Sequence, residues 1–147
     1  MYFPVHIKKL VSNIPVNALI NEEDIIEKNT LYKIFTAFLD KERKAVIYNG
    51  MIEGEKFNAF QPLGLVGSKI IMKDKLYFCE KCMKEDIRKY GESYWRVIHQ
   101  IPGVYTCNKH NVLLKESEVL SSKSRIEYSC LSESIRGKEV ECRFEFM

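Results

Sequence analysis

Cys79-Glu80-Lys81-Cys82 and Cys107-Asn108-Lys109-His110 place four soft or borderline metal ligands in two dipeptide-spaced pairs, 24 residues apart. Zinc takes four such ligands in a tetrahedron, and a two-residue spacer lets one tight turn aim two side chains at one ion. Cys79, Cys82, Cys107 and His110 are therefore a candidate zinc set. Four protein ligands leave no position for water or substrate, so the zinc expected here is structural rather than Lewis-acidic. Its binding energy would be folding energy, on the order of 10 kcal/mol, which is large beside the stability of a small domain. A thioredoxin-like role for the first pair alone would leave the second pair unexplained and lacks a βαβ setting. A His-Asn-His nuclease, suggested by His110-Asn111, needs its histidine as a general base, which a zinc ligand cannot be.

The segment between the pairs must bring them together. Lys84–Tyr90 reads as a short helix, acidic early and basic late, closed by Gly91 as its C-cap. Ile101-Pro102-Gly103 reads as a turn, and Val104-Tyr105-Thr106 as a strand that delivers the second pair. Trp95, the only tryptophan, is expected to pack over this module as its local core. His99 is a fifth ligand candidate, but the shell is full, and a hydrogen-bonded, partly buried imidazole is the expectation.

Upstream, the chain reads as helical. Val5, Leu10, Val11 and Ile14 fall at helical spacing until Pro15. Asn21 precedes Glu22, Glu23 and Asp24, which suit a helix N-terminus. Leu31, Ile34, Phe35, Phe38 and Leu39 form one apolar stripe from Thr30, expected to be core. Asp40 caps a predicted helix over Lys41–Tyr48, stopped by Asn49-Gly50. Downstream, Ile126, Tyr128 and Cys130, and Val140, Cys142, Phe144 and Phe146, alternate as strands around a loop at Ser132–Lys138. Pairing Cys130 with Cys142 puts all the apolar side chains on one face. Both thiols are then small core residues, with a cross-strand disulfide as the alternative under oxidation. The fold class expected is mostly α with a small β component (α+β): a helical region over 1–68, a zinc-ribbon-like module over 69–115, and a C-terminal β-hairpin over 116–147.

Composition narrows the remaining options. The chain has 147 residues, 46% hydrophobic and 29% charged, enough for a core and too apolar for a disordered or low-complexity chain. No apolar run approaches the ~18 residues of a spanning helix, and no signal-peptide order opens the chain, so no membrane association is expected. Five cysteines, an odd number, argue for a reducing, cytoplasmic compartment rather than a disulfide scaffold. Net charge is +3, but residues 71–115 alone carry 9 Lys/Arg against 5 Asp/Glu, so the basic balance surrounds the candidate zinc set. Arg88, Lys89 and Arg96 are the candidates there for phosphate contacts, with solvated surface charge as the alternative.

The quartet sits in a run of further motifs. Cys79-x-x-Cys82 leads to Glu85-Asp86, then Tyr90-Gly91-Glu92-Ser93-Tyr94-Trp95-Arg96, His99-Gln100-Ile101-Pro102-Gly103-Val104, and Cys107-x-x-His110 with Leu114. This run closely resembles the TniQ/TnsD family, target-site selectors of cut-and-paste DNA transposons. Glu80 and Asn108 stand where that family tends to have proline, and Asn111 where glycine is usual; Asn is a reasonable substitute for Gly where a left-handed backbone is needed. The resemblance implies target-site recognition without catalysis by this chain. The implied partners are double-stranded DNA, an AAA+ ATPase transposition regulator that brings the transposase, and, in some systems, an RNA-guided complex. It also implies a prokaryotic, nucleoid-associated location. Family members usually carry a further helix-turn-helix-like region before this stretch and continue well past it, so the chain reads as an excerpt. The reading from another class is a zinc-ribbon protein–protein adaptor without direct DNA binding.

Overall fold

The computed structural model of the chain describes residues 3–54, 57–121 and 130–139. It has the expected α+β class, with five α-helices and one three-stranded antiparallel sheet among the described residues. The chain divides between Ile70 and Ile71 into two compact units.

The first unit is helical: α1 (Ile7–Ser12), α2 (Glu22–Asn29), α3 (Tyr32–Thr36) and α4 (Lys41–Glu53). Two of these starts are dictated locally. The Asn21 side chain accepts from the Asp24 amide at 2.8 Å, and the Asp40 side chain accepts from the Arg43 amide at 2.8 Å, each satisfying an amide the helix leaves open. Ile7, Ile26, Ile47 and Met51, one or two from each of three helices, meet in the core with Ala59.

Two expectations change here. The apolar stripe from Thr30 is not one buried face: α3 lasts five residues, Leu31 is buried, and Ile34 and Phe38 are exposed. Thr36 Oγ1 donates back to the Tyr32 carbonyl at 2.7 Å as the helix ends, so Phe38 falls beyond it and leaves the stripe. Helix α4, by contrast, runs through Asn49-Gly50 to Gly54, whose φ of 75° closes it. Gly50 is not a stop but a clearance. A Cβ there would lie 2.3 Å from the Phe57 ring, which packs against the bare helix backbone.

The second unit holds strand β1 (Lys75–Phe78), helix α5 (Glu80–Tyr90), strand β2 (Lys115–Leu120) and strand β3 (Gly137–Glu139), in sheet order β1-β2-β3. Tyr77 stands opposite Glu116, and Glu116 opposite Lys138. On its other edge β1 meets a side chain instead of a strand: Gln100 Oε1 accepts from the Tyr77 amide at 2.9 Å, and its Nε2 donates to the Tyr77 carbonyl at 2.8 Å. Behind the sheet, Phe78, Met83 and Leu131 form a buried cluster joined by Ile87, Trp95 and Ile135. Trp95 stands edge-on to Phe78, centroids 6.1 Å apart, in this cluster rather than among the cysteines.

The predicted C-terminal hairpin falls largely on residues 122–129 and 140–147, outside the described residues. What is described corrects two details. The expected loop Ser132–Lys138 ends in strand β3, where Gly137 allows a close approach to Lys115 and Phe78. Cys130 is exposed, not a core position. Its neighbour Leu131 bridges to Ser93 and is the buried one, and successive residues of extended chain face opposite ways. No helix among the described residues is long and apolar enough to cross a membrane.

Candidate metal centre

The four sequence-predicted ligands come from two kinds of local structure. Cys79 is the N-cap of α5 and Cys82 lies in its first turn, so the first pair is presented by a strand-to-helix junction rather than by a zinc-ribbon turn. The predicted helix start at Lys84 is thus four residues late. The second pair sits in a tight hairpin: the Cys107 amide donates to the Val112 carbonyl at 2.8 Å, the Asn111 amide to the Cys107 carbonyl at 2.9 Å, and Thr106 bridges to Leu113. Asn111 takes φ of 51°, the left-handed backbone that turns the hairpin.

These elements bring the ligand atoms of Cys79, Cys82, Cys107 and His110 within 4.8 Å of one another. Cys82 Sγ and Cys107 Sγ are 3.7 Å apart. His110 Nδ1 lies 3.3 Å from Cys82 Sγ, 3.5 Å from Cys79 Sγ and 3.7 Å from Cys107 Sγ. A tetrahedral zinc with Zn–S of ~2.3 Å and Zn–N of ~2.0 Å requires S···S edges of about 3.8 Å and S···N edges of about 3.5 Å. The set could hold a metal ion of that size. The three cysteines are buried, with Tyr77, Leu114 and Val112 around them.

Burial shapes the thiols. It raises Cys79 and pushes Cys82 up to about 12, with Cys107 and Cys79 beside Cys82 adding to the rise. Burial acts on Cys107 too, but the His110 and Lys109 backbone amides outweigh it and bring that thiol down to about 7. One thiolate is thus provided for by the turn, and the others need a cation nearby to ionise.

The charged residues around the set are mostly engaged with one another. Glu85 Oε1 meets His110 Nε2 at 3.0 Å, while its other oxygen accepts from Lys109. Lys109 and then His110 hold the Glu85 carboxyl down at about 2. Glu80 pairs with Lys115 and Lys84, and Lys75 with Glu116. Five of the nine Lys/Arg in residues 71–115 thus have carboxylate partners, but only Glu116 comes from outside that segment, so most of its basic excess remains. Sequence reasoning missed Glu85, although its position three residues after Cys82 on a helix puts both on one face.

Of the three predicted phosphate contacts, Arg88 and Lys89 are exposed in the last turn of α5, and Lys89 Nζ lies 4.9 Å above the Tyr90 ring. Neither is ion-paired with a described residue. Arg96 departs from the expectation. Its Nη2 donates to both carboxylate oxygens of buried Asp86, at 2.8 and 2.9 Å, and its guanidinium lies over Tyr94. Ser93 Oγ donates to the same carboxylate at 3.5 Å, so Asp86 ties α5 to the Ser93–Arg96 segment. Arg96 is committed inside the unit. His99 is buried, and burial lowers it to about 4, so it is neutral at pH 7; its Nε2 has no partner among the described residues. It is not in the ligand set. Lys73 is also buried, donating to the His99 and Val104 carbonyls with its Nζ 4.2 Å from the Tyr77 ring centre.

The sequence model of the TniQ family matches residues 3–114, three quarters of the chain and the whole ligand set. The chain belongs to the TniQ family. Within it, the chain is similar to the transposon Tn7 transposition protein TnsD of Escherichia coli, with 22% identity over 111 residues. That alignment covers 76% of this chain and 22% of TnsD, so the chain spans about a fifth of its relative's length. The TniQ match runs through the helical unit and the metal set together, ending at Leu114, the residue before β2.

Proposed function

We propose that this TniQ-family chain is a DNA-binding, target-site selection module of a cut-and-paste transposon, held in shape by one structural zinc. The family match across both the helical unit and the ligand set carries this reading, together with the transposition role in the name of its relative TnsD. The three-sulfur, one-nitrogen donor set favours zinc over harder cations, and four protein ligands leave no open position for a substrate. The chain accordingly acts by recognition, without catalysis of its own. It binds duplex DNA and marks the site for an AAA+ ATPase regulator, which brings the transposase; an RNA-guided complex is the other route by which such a module is placed. Buried, reduced thiols suit a cytoplasmic, nucleoid-associated protein. Arg88 and Lys89 contact backbone phosphates, and Arg96, held by Asp86, shapes the surface next to them.

The test is metal analysis followed by duplex binding over a salt series. One zinc per chain is expected, lost in Cys79→Ser. Affinity should fall steeply with salt, and replacing Arg88 and Lys89 with alanine should reduce the slope of log K against log salt by about 2. Binding that is absent at low salt, or unchanged by salt, removes the DNA reading. A zinc-stabilised protein–protein adaptor is the second reading, favoured by one observation: five of the nine Lys/Arg in residues 71–115, Arg96 included, already have carboxylate partners. Under it, the Arg88/Lys89 double substitution leaves ATPase capture intact in a pull-down without DNA.

A further inference from the structure

We infer that Glu85 is a positioning residue for the metal centre: it receives the Nε2 hydrogen of His110 and thereby aims Nδ1 at the three sulfurs. The inference rests on the metal-binding reading above. A histidine ligand can present either ring nitrogen, and the partner of the other nitrogen fixes which. Here the ring is held from both ends, with Nδ1 3.3–3.7 Å from the cysteine sulfurs and Nε2 3.0 Å from Glu85 Oε1. A carboxylate accepts only, so the contact selects the tautomer with hydrogen on Nε2 and the lone pair on Nδ1.

The rest of the geometry serves the same end. His110 comes from the hairpin turn and Glu85 from α5, which also carries Cys82. Lys109, next to His110 in the turn, donates to the other Glu85 oxygen. Helix and turn are thus joined by two charge-assisted contacts just outside the ligand set, in addition to the shared ion. Glu80 is the natural comparison. It carries the same charge one residue from Cys79, yet its partners are Lys84 and Lys115 and it touches no ligand ring.

The experiment uses the full chain and zinc itself, with affinity from chelator competition. NMR of the zinc-loaded protein reads the His110 ring, and the d–d spectrum of the cobalt form reads the donor set. Glu85→Ala is expected to weaken zinc by 10–100-fold, the usual effect of removing such a partner. Glu85→Gln keeps an acceptor of the same length and should lose less than about tenfold. The His110 Nε2 proton should be observable in the wild type and in Glu85→Gln, and lost to solvent exchange in Glu85→Ala. Glu80→Ala, the charge control, should change affinity less than about threefold, as an exposed pair does. Should the wild type bind zinc and Glu85→Ala match it, the inference is wrong while the metal reading stands. Equal losses in Glu80→Ala and Glu85→Ala overturn it too, by making the effect one of net charge. A wild-type chain that takes up no zinc overturns the metal reading itself.

Discussion

Asp86→Ala is the substitution whose consequence follows most directly from the geometry. Asp86 is buried, its side chain 7% exposed, and Arg96, which holds both its oxygens, is 26% exposed. Removing one partner of a buried pair costs ~3–5 kcal/mol, because the other charge stays behind without compensation. The quarter of the Arg96 side chain open to water lets it rehydrate in part, which lowers the expectation to about 2–3 kcal/mol. For a cooperative unit of this size, that is a fall in Tm of about 10–20 °C. The assay is a thermal melt followed by Trp95 fluorescence. Trp95 is the only tryptophan and packs on Phe78 in the second unit, so the signal reports that unit. Zinc is kept in constant excess, since any bound ligand moves Tm by mass action. Two accompaniments separate a buried pair from a surface one. Raising salt to ~1 M should leave the loss nearly unchanged. The double variant Asp86→Ala/Arg96→Met should be more stable than Asp86→Ala alone, because no stranded charge remains. A Tm shift under about 2 °C, or strict additivity in the cycle, refutes the argument.

Three further outcomes are expected. EDTA should abolish the Trp95 tertiary signal and leave most helical circular dichroism, because the metal set lies wholly in the second unit and the first has its own core. Gly50→Ala should destabilise by ~1–2 kcal/mol in urea unfolding: helix propensity improves by ~1 kcal/mol, but a Cβ 2.3 Å from the Phe57 ring forces an overpacking cost of up to ~3 kcal/mol. Burial lowers Lys73 to about 8 from its ordinary 10.5. The unfolded chain therefore binds more protons between those values, and stability should rise with pH from 8 towards 9.5; Lys73→Met should flatten that slope in pH-dependent denaturation.

The ligand set was legible because its information is local. Two dipeptide spacings specify both the residues and the chemistry, whatever the elements that present them. The caps at Asn21 and Asp40 were legible for the same reason, since each bonds an amide three residues away. Misreadings arose where a distant residue decides. Gly50 has the sequence signature of a helix end, yet the helix runs on past it, and the space a Cβ would take there is filled by the distant Phe57 ring. Phe38 looked like core until α3 ended at Thr36. Arg96 and Glu85 are the instructive pair: in sequence both look like solvated charge. Their partners, Asp86 and His110, lie 10 and 25 residues away, and no periodicity connects them. The Glu85-Asp86 dipeptide thus serves two directions at once, one acid reaching the metal set and the other the arginine.

The Gln100 side chain on strand β1 has a consequence for how this unit meets other chains. A sheet edge ordinarily offers a row of amides and carbonyls to which any extended polypeptide can be added. At Tyr77 both groups of that row are already taken by one carboxamide, which imitates a single rung of a neighbouring strand. The same carboxamide donates to the Arg96 carbonyl at 3.1 Å, so the rung is anchored to the segment that Asp86 holds. A partner cannot lengthen this sheet through Tyr77 without first displacing a residue that is 2% exposed. Recognition on that side must be by side chains meeting a finished surface, and two copies of the unit cannot stack edge to edge there.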